Sequence, residues 1–319
     1  MIHARSLART FRTRTGPVEA VRGVDLDVAA GEIVGFLGPN GAGKTTTLRM
    51  LTTLIEPTAG DATVAGCDLR TDPVGVRRRI GYVAQGGVTY PDARCGEELV
   101  DQARLFGLST AEATRRGRLL FEQLDLDGLW GRTCKSLSGG QRRRLDIAMG
   151  LVHAPALVFL DEPTTGLDPQ SRANLWQHVR RLRDEHDTTI FLTTHYLDEA
   201  DALCDRILVI DNGGIVAAGS PEQLKRQVSG DGVSLTLASA DDGVAARDVV
   251  RQLPGSDGAT ADDTHVHVRV PNGGAALPDL LRTLDAKGIV LAAVEVRRPT
   301  LDDVFLSLTG RSLRDEPAA

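Results

Sequence analysis

The fold of this chain is decided by the stretch Gly38-Pro39-Asn40-Gly41-Ala42-Gly43-Lys44-Thr45-Thr46. It matches the phosphate-binding pattern G-x-x-x-x-G-K-[ST] at every position. The apolar run 33–37 before it is typical of a strand, and the residues from Thr46 onward are typical of a helix. In that context backbone amides and a helix N-terminus converge on phosphate groups. We expect Lys44 to reach the β- and γ-phosphates of a nucleotide and Thr45 to bind Mg²⁺.

Length and charge narrow the class of protein. The chain has 319 residues, a formal net charge of -6 and 41% hydrophobic residues, which leaves room for one large domain and a smaller one. The negative charge disfavours nucleic acid as the main partner. The cysteines, at positions 67, 95, 134 and 204, lack metal-binding spacing and predict free thiols in a reducing cytosol. Because no apolar run approaches the roughly 20 residues that span a bilayer and the N-terminus lacks a signal-peptide core, any membrane role is expected through a partner.

The phosphate-binding stretch 38–46 is called the P-loop. The chain on either side of it alternates between strand and helix patterns. Residues 1–32 predict antiparallel strands, residues 60–70 a hairpin around Ala65-Gly66, and residues 80–85 a short strand that ends in Gln85. The helical pattern that follows interrupts this alternation, so we predict an inserted helical subdomain at about 86–150. Within it, Ser138 is expected to cap the helix that begins after it.

The second half contains apolar runs that end in polar residues. Leu157-Val158-Phe159-Leu160-Asp161-Glu162 is apolar on both faces before its two carboxylates, as in a buried parallel strand. Residues 188–194 predict another strand, which is followed by His195, and residues 207–216 predict a hairpin. By themselves, an acidic pair and a histidine at strand ends could also be solvated or structural groups.

Past Pro221 the pattern begins again and predicts a small α+β domain at 223–310. Its predicted elements are strands at 233–237, 265–270 and 290–296 and helices at 246–253 and 277–284, with loops at 229–232 and 254–263. A last helix should start after Thr300, with Asp303 completing its cap, and bury Leu301, Val304, Phe305 and Leu308. Residues 311–319 are expected to form a frayed tail.

The ordered motifs resemble one family. Gln85, the signature segment (residues 137–141, Leu-Ser-Gly-Gly-Gln), Asp161-Glu162, residues 166–168 and His195 follow the P-loop in the order of the ATP-binding cassette (ABC) family. This resemblance covers residues 1 to about 222 and implies an α/β P-loop NTPase cassette with an inserted helical subdomain. The remainder, including residues 301–310, resembles the C-terminal domain of daunorubicin-resistance-type drug-export ATPases.

The resemblance implies a role for each motif residue. Glu162 would polarise the attacking water, with Gln85 and His195 as its catalytic partners. Mg²⁺ would be bound by Thr45, Gln85 and Asp161. The residues implied to bind ATP are Phe11, Gly38, Pro39, Asn40, Gly41, Ala42, Gly43, Lys44, Thr45, Thr46, Ser138, Gly139, Gly140, Gln141 and Asp168. Phe11 stands where a tyrosine more often stacks on the adenine.

The implied assembly is a head-to-tail homodimer, with each ATP between the P-loop of one subunit and the signature segment of the other. The resemblance further implies a separate multi-spanning membrane permease, a peripheral location on the cytoplasmic face of the cell membrane, and export of hydrophobic drugs or antibiotics. Export of lipid, polysaccharide or ion is an alternative. A soluble cassette protein that acts on ribosomes, DNA or cluster assembly is disfavoured, because the chain has one P-loop and residues 86–134 show no sustained heptads.

His265 and His267 lie on one face of a predicted strand, as two metal ligands could. The sequence shows no evident third ligand near them, so we do not expect a metal site there.

Overall fold

The computed structural model describes residues 1–228 and 230–310. Residue contacts divide the chain into two units, Met1–Pro221 and a second unit that begins at Glu222. In the first unit the strands are β1 (Ile2–Thr13), β2 (Gly16–Val28), β3 (Ile33–Leu37), β4 (Ala59–Val64), β5 (Cys67–Asp68), β6 (Ile80–Val83), β7 (Leu157–Asp161), β8 (Thr189–Thr194), β9 (Arg206–Asp211) and β10 (Gly214–Gly219). The helices up to the boundary are α1 (Lys44–Leu51), α2 (Pro73–Arg79), α3 (Cys95–Leu105), α4 (Thr110–Gln123), α5 (Gly139–Leu151), α6 (Pro169–His186), α7 (Leu197–Leu203) and α8 (Pro221–Gln227).

A central sheet positions the nucleotide-binding motifs. Its strands lie in the order β10-β9-β3-β8-β7-β6 and run parallel from β9 to β6, while β10 is antiparallel to β9. Every residue of β3, β7 and β8 is buried, as predicted for parallel strands covered on both faces. Because the carboxyl ends of parallel strands meet at one edge of a sheet, the P-loop after β3, Asp161 on β7 and His195 after β8 are brought together.

A second sheet of the first unit is antiparallel, with strand order β2-β1-β4-β5. It contains the strands predicted within residues 1–32 and the predicted hairpin, in which Val64 pairs with Cys67 around the Ala65-Gly66 turn. Its apolar side chains share a core with those of the central sheet, including Val24 of β2 and Phe159 of β7.

Helices occupy the segment between β6 and β7. Helix α5 lies against β6 at very short range, because a Cβ atom added to Gly81 would come within 2.2 Å of the Gly150 carbonyl oxygen. The predicted cap of α5 is confirmed: the Ser138 hydroxyl accepts a hydrogen bond from the Gln141 amide, and the Gln141 side chain accepts one from the Ser138 amide. The strand that leads to Gln85 is thus packed against a helix with a well-defined start.

The second unit is an antiparallel sheet covered by helices. Its strands are β11 (Asp231–Leu237), β12 (Asp257–Asp262), β13 (His265–Val270) and β14 (Leu291–Arg297), and its helices are α9 (Gly243–Val250), α10 (Gly273–Ala286) and α11 (Leu301–Thr309). The strand order is β12-β13-β11-β14. Alternate residues of β11 and β13 face a core shared with α9 and α10. The predicted capping box of Thr300 and Asp303 at the start of α11 is confirmed.

Some predictions for this unit are wrong. The predicted loop 254–263 contains β12, an edge strand without a buried residue, so its sequence lacks the alternation that reveals a strand. In the predicted loop 229–232, β11 already begins at Asp231, and Ser229 lies outside the described residues. Leu308, predicted to be buried, is 38% exposed in the last turn of α11. The predicted tail, residues 311–319, lies outside the described residues.

Over residues 1–228 and 230–310, no helix is long and apolar enough to cross a membrane. The cysteines Cys67, Cys95, Cys134 and Cys204 are buried free thiols, as predicted from their scattered spacing.

Candidate functional site

The P-loop forms a tight backbone cradle at the end of β3. Gly41 and Gly43 have φ angles of 79° and 104°, in the left-handed region that favours glycine. At Gly43 a side chain is also excluded by space, because an added Cβ would lie 2.5 Å from the Ala20 carbonyl oxygen. Helix α1 begins directly after Gly43, so its free N–H groups point into the loop. The loop therefore offers backbone donors to an anion.

Lys44 lies at the centre of this cradle and is buried. Its ammonium group donates hydrogen bonds to the carbonyl oxygens of Gly38 at 2.7 Å and Pro39 at 3.0 Å. It also lies 3.6 Å from Oε1 of Glu162, which belongs to the next motif. A buried cation thus lies beside the backbone amides of the P-loop.

Asp161 and Thr45 form a pair of oxygen ligands beside the cradle. The Thr45 hydroxyl donates to Oδ1 of Asp161 at 3.2 Å, and the Thr193 hydroxyl donates to the same oxygen at 2.6 Å. Asp161 is buried at the end of β7. A hydroxyl and a carboxylate at this separation match the oxygen donors that Mg²⁺ prefers, so the donor set fits that ion.

Glu162 contacts several of the predicted site residues through its side chain, and its backbone is hydrogen-bonded as well. Its Oε2 accepts hydrogen bonds from Gln85 Nε2 at 2.8 Å and from the Thr165 hydroxyl at 3.1 Å, and His195 Nδ1 lies 3.4 Å from the same oxygen. Its backbone amide donates to the carbonyl and the hydroxyl oxygens of Thr193 at 3.1 and 3.0 Å. The structure therefore brings together the three residues predicted to be catalytic.

The surroundings of Glu162 keep its carboxyl group ionised. Burial by itself would raise the pKa of this carboxyl. The neighbouring His195 ring, the Lys44 ammonium and the Thr165 hydroxyl favour the charged form, and their combined effect lowers the pKa below its ordinary value. At neutral pH the side chain is a carboxylate that can accept a proton or a hydrogen bond from water.

Lys44, Thr45, Gln85 and Glu162 border an open cavity of about 230 Å³, whereas Asp161 and His195 are not among the residues that line it. The described residues that line it are Ala20, Asn40, Gly41, Gly43, Lys44, Thr45, Thr46, Gln85 and Glu162. Phe11, predicted to stack on the base, is absent from this group; it lies on β1 with the Arg9 guanidinium 4.7 Å from its ring centroid.

Neither the signature segment nor Asp168 is among the residues that line this cavity. Ser138 and Gly139 are exposed at the N-terminus of α5, with the amide-rich helix end open to solvent. Asp168 caps α6 by accepting hydrogen bonds from the amide and the hydroxyl of Ser171, and these bonds lower the pKa of its carboxyl. The chain thus has a second exposed helix N-terminus, at the start of α5, besides the one in the P-loop.

Two family models match the chain: "ABC transporter" over residues 21–165 and "ATP-binding protein DrrA1-3-like, C-terminal domain" over residues 219–309. The chain is 42% identical to the daunorubicin resistance ATP-binding protein DrrA2 of Streptomyces coeruleorubidus over 98% of its own length and 97% of that protein. The chain belongs to the ABC transporter family of ATP-binding proteins. This ABC ATPase therefore binds and hydrolyses ATP, and its predicted fold class, a P-loop cassette with a small C-terminal α+β domain, is confirmed.

Other similar proteins extend the comparison. The Nod factor export ATP-binding protein I of Cupriavidus metallidurans is 38% identical over 96% of this chain and 98% of that protein. Among solved structures, a dimeric bacterial ABC transporter cassette matches with a TM-score of 0.64 and 25% identity, over 69% of this chain and 98% of that one.

Several contacts of this ABC ATPase site were missed by sequence analysis. Thr193 binds both Asp161 and Glu162, and its place at the end of β8 was the available signal, because this edge of the sheet carries the site. Ala20 lines the cavity from β2, which is far from the motifs in sequence. Arg143 donates hydrogen bonds to backbone carbonyls next to Glu162, and one arginine among three in a row carried no signal for this contact.

Proposed function

We propose that this chain is the ATP-hydrolysing subunit of an exporter whose membrane-spanning permease is a separate polypeptide. The observation that carries the proposal is the cluster of Lys44, Gln85 and His195 around Glu162, beside a cavity of about 230 Å³ that Lys44, Gln85 and Glu162 line, in a chain that belongs to the ABC family. Buried charges cost stability unless they are paired and hydrogen-bonded. The fold itself does not need these charges, so their presence points to a functional role.

The residues of the cradle would bind two different parts of the Mg²⁺–ATP complex. The P-loop amides and Lys44 would hold the phosphates of ATP, and Thr45 and Asp161 would hold Mg²⁺ together with Gln85. Mg²⁺ supplies charge neutralisation on the β- and γ-phosphates when it is bound. The Thr193 hydroxyl holds the Asp161 carboxylate in orientation.

Glu162 would act as the general base. Its ionised carboxylate accepts hydrogen bonds from Gln85 and Thr165 and lies at the border of the cavity, where an attacking water molecule would be polarised. His195, next to the same carboxylate oxygen, would contact the γ-phosphate and hold the orientation of Glu162.

A head-to-tail homodimer would complete each site. The signature segment of a chain lies outside its own P-loop cavity, and its helix N-terminus is exposed. A second copy could therefore supply Ser138 and the following amides to the γ-phosphate, with Asp168 linking the two sites. The dimeric bacterial cassette that resembles this chain supports such an arrangement.

The proposed cargo is a hydrophobic drug or antibiotic, moved outward from the cytoplasmic face of the cell membrane. The relative named for daunorubicin resistance, which aligns with nearly the whole chain, supports this cargo. The relative named for Nod factor export favours a Nod factor as the second candidate cargo, because it too aligns with nearly the whole chain.

For the second unit we propose a role in assembly or regulation, because it has its own apolar core. Deletion of residues 229–319 should then leave nucleotide binding intact and weaken association with a second copy or with the permease. Loss of nucleotide binding in the truncated protein would count against a separate domain.

The deciding experiment is to express tagged Glu162→Gln in the native host, supply ATP and Mg²⁺, and identify co-purifying proteins from detergent-solubilised membranes by mass spectrometry. The matched control is Glu122→Gln, which changes an exposed carboxylate on α4. Recovery of a multi-spanning membrane protein is expected. Recovery from the soluble fraction alone, or with ribosomes or DNA, would contradict the exporter. Drug accumulation would then be measured in cells that express the ATPase together with the recovered membrane protein. Lower accumulation than in control cells would favour the drug as cargo over the second candidate.

A further inference from the structure

Arg143 is a buried cation that binds backbone carbonyl groups. It lies in the second turn of α5 with 7% of its surface exposed. Its guanidinium donates three hydrogen bonds: from Nε to the Pro163 oxygen at 2.8 Å, from Nη1 to the Ala84 oxygen at 2.5 Å and from Nη2 to the Asp161 oxygen at 3.0 Å. Since burying a charge is costly unless it is hydrogen-bonded, these contacts determine where the side chain lies.

The three carbonyl groups belong to the residues that flank the proposed catalytic pair. Asp161 and Pro163 are the neighbours of Glu162 on either side, and Ala84 directly precedes Gln85. The Arg143 contacts therefore fix the peptide group that joins Asp161 to Glu162, the one that joins Pro163 to Thr164, and the one that joins Ala84 to Gln85.

Glu162 needs such support because its backbone is strained. Its φ angle of 44° lies in the left-handed region, which is unfavourable for a residue with a side chain. A residue in this conformation keeps it only when the surrounding structure holds it there. The guanidinium supplies that constraint from one side, and the hydrogen bonds of the Glu162 amide to Thr193 supply it from the other.

The chemistry of the contact requires arginine. A guanidinium presents five N–H donors in a planar fork, so it can reach carbonyl groups from two separate segments at once. A lysine ammonium at the same position retains the charge but not this span. Asp146, buried one turn later on α5, and Asp161 provide offsetting negative charge.

We propose that Arg143 is a positioning residue for ATP hydrolysis, which fixes the backbones of Glu162 and Gln85 and couples both to α5. The inference rests on the proposed role of Glu162. Because α5 begins at the signature segment, a displacement of that segment is transmitted through Arg143 to the base and its partner.

The test compares the steady-state ATPase kinetics of the full chain in Arg143→Gln, Arg143→Lys and Arg142→Gln. Arg142 is the matched control, because it is exposed on the same helix and makes one long hydrogen bond to the Cys134 oxygen, at 3.3 Å. We expect R143Q to lower kcat about 10²-fold, the loss typical of a misplaced reacting group. The KM for ATP should change less than about threefold, because the hydrogen bonds of Arg143 go to carbonyl groups of Ala84, Asp161 and Pro163, which lie outside the P-loop. R143K should be intermediate and R142Q close to the wild type.

A double variant separates positioning from a general structural role. If Arg143 acts through Glu162, R143Q combined with E162Q will be no slower than E162Q alone, whereas independent defects would multiply. The inference is overturned if the losses in kcat multiply in the double variant, or if folded R143Q has the wild-type kcat. In either case a slow E162Q leaves the proposed function standing. A wild-type rate in E162Q overturns the role of Glu162 and this inference together. Should circular dichroism show that R143Q is unfolded, R143K decides, and a wild-type kcat in that variant overturns the inference.

Discussion

The Lys44 ammonium lies 3.6 Å from the Glu162 carboxylate, and both side chains are more than nine-tenths buried. The same ammonium is hydrogen-bonded to the carbonyl oxygens of Gly38 and Pro39. The side chain that is proposed to bind phosphate is therefore surrounded by protein acceptors. A γ-phosphate carries more charge than these acceptors, so nucleotide binding must exchange the contact with Glu162 for one with phosphate.

Replacing Glu162 by Gln should slow turnover and strengthen nucleotide binding together. The amide cannot act as a base, and we expect kcat to fall by about 10²–10⁴-fold. It also neither competes for Lys44 nor repels the γ-phosphate, so the Kd for ATP should decrease. Stopped-flow phosphate release and equilibrium titration with a fluorescent ATP analogue measure the two effects, with E122Q as control. Unchanged turnover in E162Q would mean that another group activates the water.

Replacing Lys44 by Ala should weaken ATP binding and also destabilise the nucleotide-free protein. The variant leaves the buried Glu162 carboxylate without its nearest cation, which we expect to cost about 1–3 kcal/mol of unfolding free energy. Urea denaturation without nucleotide measures this cost. The double variant Lys44→Ala/Glu162→Gln should recover most of the lost stability, because no uncompensated charge remains. Equal stabilities of K44A and the double variant would show that the Glu162 carboxylate carries no cost when Lys44 is absent.

Replacing Gly81 by Ala should destabilise the contact between β6 and α5. The new methyl group would lie 2.2 Å from the Gly150 carbonyl oxygen, a backbone atom that cannot move without shifting the helix. Overpacking of this kind typically costs about 1–3 kcal/mol. Gly131→Ala is the matched control, because an added Cβ there meets nothing within 4 Å. A thermal unfolding midpoint of G81A equal to that of G131A would contradict the close approach.

Local patterns were sufficient to predict the strands and the motifs they carry. The run that is apolar on both faces identified β7 as a buried parallel strand, and the resemblance to the ABC family predicted that Asp161, Glu162 and His195 share a site with the P-loop. Capping chemistry identified the starts of α5 and α11. These features depend on a few neighbouring residues, which is why the sequence alone reveals them.

Features that depend on distant neighbours were missed. Strand β12 exists because β13 offers a free edge, and its own residues, exposed throughout most of its length, carry no periodic signal. Likewise, Arg143 lies within a run of arginines that suggests a solvated surface, and only the approach of α5 to β7 and to the end of β6 buries it. Phe11 was placed by analogy with a base-stacking residue, and its position outside the cavity lining follows from the path of β1.

Replacing Glu199 by Gln should increase the stability of the protein more at pH 7 than at pH 4.5. Glu199 on α7 is fully buried, and its Oε1 accepts a hydrogen bond from Trp176 Nε1 at 3.3 Å. Burial raises the pKa of its carboxyl above the ordinary value. As the pH rises above about 4.3, the unfolded state therefore releases its proton while the folded state retains it, and the wild type loses stability over that range.

Glutamine keeps the acceptor for Trp176 but does not titrate, so the difference between the variant and the wild type isolates this one group. Urea unfolding at pH 4.5, 5.5 and 7 measures the difference, with Glu122→Gln as the control whose carboxyl is solvated before and after unfolding. A difference that stays constant or shrinks with rising pH would mean that Glu199 is ionised in the folded protein. In that case its negative charge would have to be balanced by a nearby cation, for which Arg172 on α6 is the candidate because it favours the charged form of Glu199.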